Sequence, residues 1–153
     1  MALNVGLLRS KIQSVFNQQL ESKAQVAQKI AQAYQTYAQT AQAPPAAPVI
    51  LKNSEFRLFE TSLRSLMVCE FPPGQAAQAI ANAIGGFWLI PPVMTGVGGV
   101  CTTINPGAAI SKMSSTNVGD SGQAAASLAS ALDLMTKTVF VVNPYPLPPG
   151  PLF

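Results

Sequence analysis

Histidine is missing from this sequence altogether. General acid–base chemistry would therefore fall to carboxylates, lysine, tyrosine or cysteine. Cysteine is scarce as well: Cys69 and Cys101 are the two in the chain. Two cysteines make neither a disulfide framework nor a zinc site, and without a histidine neither has a base to activate it. Both sit beside apolar or glycine-rich sequence, where a thiol acts as a small buried hydrophobe. Charge is sparse, at 10% of residues against roughly 25% in an ordinary soluble domain. From Phe71 to Ser111 there is none. A surface so poor in charge suits a protein covered by neighbours.

The net charge of +3 lies wholly in residues 1–70, and its lysines and arginines are scattered. A nucleic-acid surface calls for clustered cations with stacking aromatics, so nucleic acid is not an expected partner. The carboxylates show no pairing beyond helix-surface spacing; Glu55 and Glu60 fit a solvated face. The cluster Gly96 to Gly99 lacks the Lys-Ser/Thr of a phosphate-binding loop and reads as a hinge or linker. No catalytic, cofactor-binding or metal-ligating set emerges, and no enzyme, cofactor or small-molecule substrate is expected. Met1 to Gly6 lacks the basic start and long apolar core of a secretory signal, and Ala2 breaks the myristoylation pattern.

What is present is a repeat. Gln25–Tyr34, Gln75–Ile84 and Gln123–Leu132 share one pattern: Gln, small, Ala, two variable positions, Ile/Leu, Ala, Gln/Asn/Ser, Ala, large residue. The offsets are 50 and 48 residues, a spacing typical of repeated supersecondary units. Weaker matches precede each copy at 8–12, 63–67 and 109–113, and a proline-terminated extended piece follows each. The unit reads as helix, loop, Ala-rich helix, extended segment. Alanine on the contact stripe lets helices approach closely.

Along the chain, apolar residues at three- and four-residue spacing predict helices over 5–20, 23–41, 53–68, 75–85 and 123–136. Asn4 is placed to cap the first, and Gly85-Gly86 to end the fourth. A short helix is expected over 108–113, a short strand or extended packing segment at 87–94, and a short apolar, β-prone run at 139–142. The expected fold is mainly α: three repeated helix–loop–helix units, joined by short extended Pro/Gly-rich segments, with little β. One domain, 1–142, would hold repeats at about 5–51, 53–104 and 105–142. Residues 143–153 would form a Pro-rich C-terminal arm. Tyr145, Leu147, Leu152 and Phe153 could dock that arm on an adjacent subunit, and Trp88 is a further candidate contact.

The opening Met1-Ala2-Leu3-Asn4-Val5, the run to Phe16 and the helix Ala27–Tyr37 resemble small virion structural proteins of tailed bacteriophages. The resemblance is one of pattern and composition over most of the chain. It implies a non-enzymatic part of a tail, baseplate, head–tail joint or capsid exterior, assembled in the host cytoplasm and present in many copies among other virion structural proteins. The alternative is a small membrane-active protein using the apolar region 75–101. A spanning helix needs about 20 apolar residues, whereas Gly85-Gly86 and Pro91-Pro92 interrupt this one, so a membrane is not the expected partner. A free-standing adaptor whose proline-rich end binds a recognition domain is a third, lesser reading.

Overall fold

The computed structural model describes residues 3–17, 23–44, 47–51, 57, 59–64, 73–89, 93–105, 107 and 121–153. Helix α1 (Val5–Asn17) starts at Asn4, whose Oδ1 accepts the Leu7 amide at 3.0 Å. That bond satisfies one of the orphan amides of the first turn. Leu8, Ile12 and Val15 form its buried face. Helix α2 (Lys23–Ala38) buries Ala27, Ile30, Ala31, Tyr34, Tyr37 and Ala38. Two short strands follow, β1 (Gln42–Ala43) and β2 (Ala47–Ile50). Residues 57 and 59–64 are helical, with Phe59 and Leu63 buried. Helix α3 (Pro73–Leu89) leads to β3 (Met94–Thr95) and β4 (Val100–Thr103). Helix α4 (Ser121–Thr136) leads to β5 (Phe140–Val142) and β6 (Gly150–Pro151).

The mainly α expectation is overturned by the strands. All six pair antiparallel in the order β1-β2-β3-β4-β5-β6. The sheet nearly closes on itself, because Gln42 in β1 exchanges backbone hydrogen bonds with Phe153, just beyond β6, at 2.9 and 3.0 Å. Helices α1, α2 and α4 pack together, α1 lying against both others. The Pro/Gly-rich connections and the β-prone run at 139–142 thus supply the strands of one barrel-like sheet. Each is only two to four residues long, too short for the two-residue alternation that betrays a strand.

Two local expectations fall with the first. Gly85-Gly86 does not end α3, which runs on through Phe87, Trp88 and Leu89. Packing of Phe87 and Trp88 outweighs the helix cost of glycine, about 1 kcal/mol each. Nor is Gly96–Gly99 a hinge. It is the turn between β3 and β4, where the Gly98 amide donates to the Thr95 carbonyl at 3.0 Å and the Gly99 amide to Thr95 Oγ1 at 2.9 Å. Gly98 has a φ of 85°, where a side chain would be strained. The predicted helix over 108–113, Cys69 and much of the helix over 53–68 lie outside the described residues. The described residues within 75–101 form most of α3, β3 and the start of β4, and no described helix is long and apolar enough to cross a membrane.

The geometry repeats three times. Each Ala-rich helix, α2, α3 and α4, is followed by two strands. Ala31, Ala81 and Ala129 hold the same place in the three copies, and all are fully enclosed. Beyond each helix, a residue in or just after the second strand donates its amide to the carbonyl of the residue entering the first: Val49 to Ala41 at 3.3 Å, Cys101 to Val93 at 3.0 Å, and Leu152, which follows β6, to Val139 at 3.0 Å. All six of these residues are buried. The second strand of each unit then pairs with the first strand of the next, and the Gln42–Phe153 exchange joins the third unit to the first.

Candidate functional site

The ends of the three repeated helices meet in an aromatic centre. Tyr34 lies 5.2 Å from Phe59 and 5.4 Å from Phe87, centroid to centroid, and Phe87 lies 5.2 Å from Trp88. A directed chain of hydrogen bonds runs through it. The Trp88 indole Nε1–H donates to Tyr34 Oη at 2.9 Å. Thr136 Oγ1 lies 2.7 Å from Tyr34 Oη and 2.7 Å from the Leu132 carbonyl. The carbonyl only accepts, so Thr136 donates to it and Tyr34 donates to Thr136. One residue from each unit is joined in this way: Trp88 from the second, Tyr34 from the first and Thr136 from the third.

Beside this chain, Tyr37 donates to Asp133 Oδ1 at 2.6 Å, and Lys137 donates to Asp133 Oδ2 at 2.8 Å. Burial pushes both tyrosine hydroxyls well above their ordinary range; for Tyr37 the bond to Asp133 adds to the shift. A phenol held protonated that firmly is a hydrogen-bond donor and not a base. Tyr34, Trp88 and Thr136 are fully enclosed, so this network fixes the relative position of the three units. The Cys101 thiol, buried and free, is pushed up to about 12 by burial alone. That keeps it a thiol and poorly nucleophilic.

A second constellation ties loops together. Asn143 Nδ2 donates to the Pro44 carbonyl at 2.7 Å and the Pro148 carbonyl at 2.6 Å. Two acceptors on the nitrogen fix the orientation of the amide. Its Oδ1 is buried without a hydrogen-bond partner and occupies the space that a Cβ on Gly99 would take. Asn143 therefore holds the β1–β2 turn and the β5–β6 loop, and requires glycine in the β3–β4 turn.

The outward face of the sheet carries an apolar row. Ile50 pairs with Met94, Met94 with Val100, and Val100 with Val142, one residue from each of β2, β3, β4 and β5. Ile50, Met94 and Val142 are 50%, 45% and 48% exposed. Phe140 extends the face along β5 and is exposed as well. None of these six strands contains a charged residue. This row was not legible in sequence, because each member is a single residue of a short segment and the four meet only through strand pairing.

The five residues suggested as contacts are divided by the structure. Trp88 and Leu152 are buried in this chain's own core; Leu152 directly follows β6 and donates its amide to the Val139 carbonyl. Leu147 is half-buried in a turn closed on Pro144. Tyr145 is 98% exposed and Phe153 is partly exposed beside Gln42. The exposed candidates that remain are Tyr145 and Phe153, and the sheet row joins them. Among the described residues, no group of three or more His, Cys, Asp or Glu side chains could hold a metal ion.

Fold and surface together define an α+β protein of three helix–strand–strand units around a nearly closed antiparallel sheet. No protein-family model, curated protein or solved structure matches the chain.

Proposed function

We propose that this chain is a non-enzymatic structural component of a tailed-phage virion. It packs in many copies against other virion structural proteins, at the tail, the baseplate or the head–tail joint. The observation that carries the packing role is the uncharged apolar row Ile50–Met94–Val100–Val142 across four strands. Apolar side chains left exposed together gain on being covered by a neighbour, at roughly 25 cal/mol per Å² of apolar surface buried. Strands without charged residues set no charge-desolvation penalty against such a contact. The assignment to a virion rests on the sequence resemblance. Mass spectrometry of purified particles tests it: the chain is expected among the particle proteins in stoichiometric amounts. Recovery solely from a membrane fraction would overturn it.

A further inference from the structure

Helices α1 and α2 leave a cavity of about 280 Å³ between them, lined by Lys11, Ser14, Val15, Lys29, Gln32, Ala33 and Thr36. The spacing explains the lining. Lys11, Ser14 and Val15 stand at i, i+3 and i+4 on α1; Lys29, Gln32, Ala33 and Thr36 stand at i, i+3, i+4 and i+7 on α2. Such positions share one helix face. The two residues of the lining that are buried are Val15 and Ala33, which form the floor. Alanine at position 33 is what leaves the groove room. The polar side chains form the walls.

The charge of this groove is one-sided. α1 and α2 carry Arg9, Lys11, Lys23 and Lys29 and no Asp or Glu. Elsewhere Arg64 pairs with Glu60 at 2.6 Å and Lys137 with Asp133 at 2.8 Å. Among the described residues, Lys11 and Lys29 have no such partner, and no carboxylate lines the cavity. Two lysines thus line one concave space that Ser14 and Gln32 line as well. The Thr36 hydroxyl is already donated to the Gln32 carbonyl at 2.9 Å, so it serves as an acceptor or a spacer.

We propose that this groove binds a phosphate monoester dianion. Two lysines supply point charges that suit a tetrahedral oxyanion from any direction, and Ser14 and Gln32 add neutral donors. The volume lies at the small end of ligand sites, enough for a phosphate with a few further atoms. The same chemistry is offered by a soluble phosphate ester and by a phosphatidic-acid headgroup. The site is independent of the assembly reading, since it lies on the helices and not on the sheet.

The test is an amide-resolved NMR titration of the full chain with inorganic phosphate at constant ionic strength. Saturating shifts are expected at residues 11–15 and 29–36. Lys11→Gln and Lys29→Gln should each weaken binding about tenfold, the worth of one charge-assisted contact. Arg9→Gln, which removes the same charge outside the groove, should leave it within about twofold. A second arm uses phosphatidylcholine vesicles with and without phosphatidic acid. Vesicle binding that phosphate competes away identifies a headgroup as the source; phosphate binding without vesicle binding identifies a soluble ester. Non-saturating shifts, or an equal loss in Arg9→Gln, would overturn the proposal in favour of diffuse electrostatics. Circular dichroism of each variant checks that the fold is kept.

Discussion

The Gln42 amide donates to the Phe153 carbonyl at 2.9 Å, and the Phe153 amide returns the bond to the Gln42 carbonyl at 3.0 Å. Residues 111 positions apart thereby join the last strand to the first. Without this exchange the sheet would present two open edges, which invite pairing with other chains. Closure directs further contacts to the outer face of the sheet and to the helices.

Leu152→Ala should therefore destabilise the whole chain. Leu152 is buried in the core although it is the penultimate residue. Loss of its side chain is expected to cost about 3 kcal/mol. The midpoint of urea unfolding measures this, and a tail that merely hung from the domain would show no shift.

Tyr34→Phe removes the middle of the hydrogen-bond chain. It leaves the Trp88 Nε1–H buried and unpaired, at a cost of about 1–3 kcal/mol. Trp88 is the sole tryptophan, so its fluorescence reports the site directly. A shifted emission in the folded variant is expected together with the lowered stability. Thr136→Val should leave the Trp88 bond in place and perturb the emission less.

Stability should fall in alkali. Burial raises Tyr34 and Tyr37 above the ordinary value of 10.0, and Cys101 from 9.0 to about 12. Above pH 9 the unfolded chain loses the cysteine proton, and above pH 10 the tyrosine protons, while the folded chain keeps them. The unfolded state then binds fewer protons, so unfolding becomes more favourable as pH rises. Each group contributes a slope of about 1.4 kcal/mol per pH unit. Below pH 9 these three groups add no pH dependence. Denaturation curves from pH 8 to 11 should show the decline, and Tyr34→Phe should make it shallower.

The glycines separate into two kinds. A Cβ on Gly99 would meet Asn143 Oδ1, and would lie 2.8 Å from Thr95 Oγ1 and 2.9 Å from Val141 Cγ1. Gly99→Ala should cost several kcal/mol, about 2–4. A Cβ on Gly86, within α3, would meet nothing within 4 Å. Gly86→Ala should stabilise by about 0.5–1 kcal/mol. Thermal melts of the two variants should move in opposite directions.

Charge placed on the sheet row should block packing and spare the fold. Met94→Lys and Val142→Lys lie on exposed positions of one cross-strand row. Both should retain the parent circular dichroism and lose incorporation into particles by at least about tenfold, the effect of roughly 1.4 kcal/mol. Normal incorporation of both variants would show that the assembly contact lies elsewhere.

Local sequence determined the helices and their buried stripes. Leu8, Ile12 and Val15 on α1, and Ala27, Ile30, Ala31 and Tyr34 on α2, follow from a 3.6-residue period that any fold must bury on one side. Asn4 as a cap and Cys101 as a buried thiol were equally local matters. The sheet was not. Val49, Cys101 and Leu152 stand in segments too short to show alternation, and their place depends on partners far along the chain. Gly85-Gly86 reads as a stop in the sequence, yet the packing of Phe87 and Trp88, which lies outside any local window, carries the helix onward. Tertiary structure alone decided that six short strands would pair into one nearly closed sheet, and that the last of them would close it against the first. The physical reason is that a helix makes its hydrogen bonds within itself, whereas a strand makes them with residues that only folding brings near.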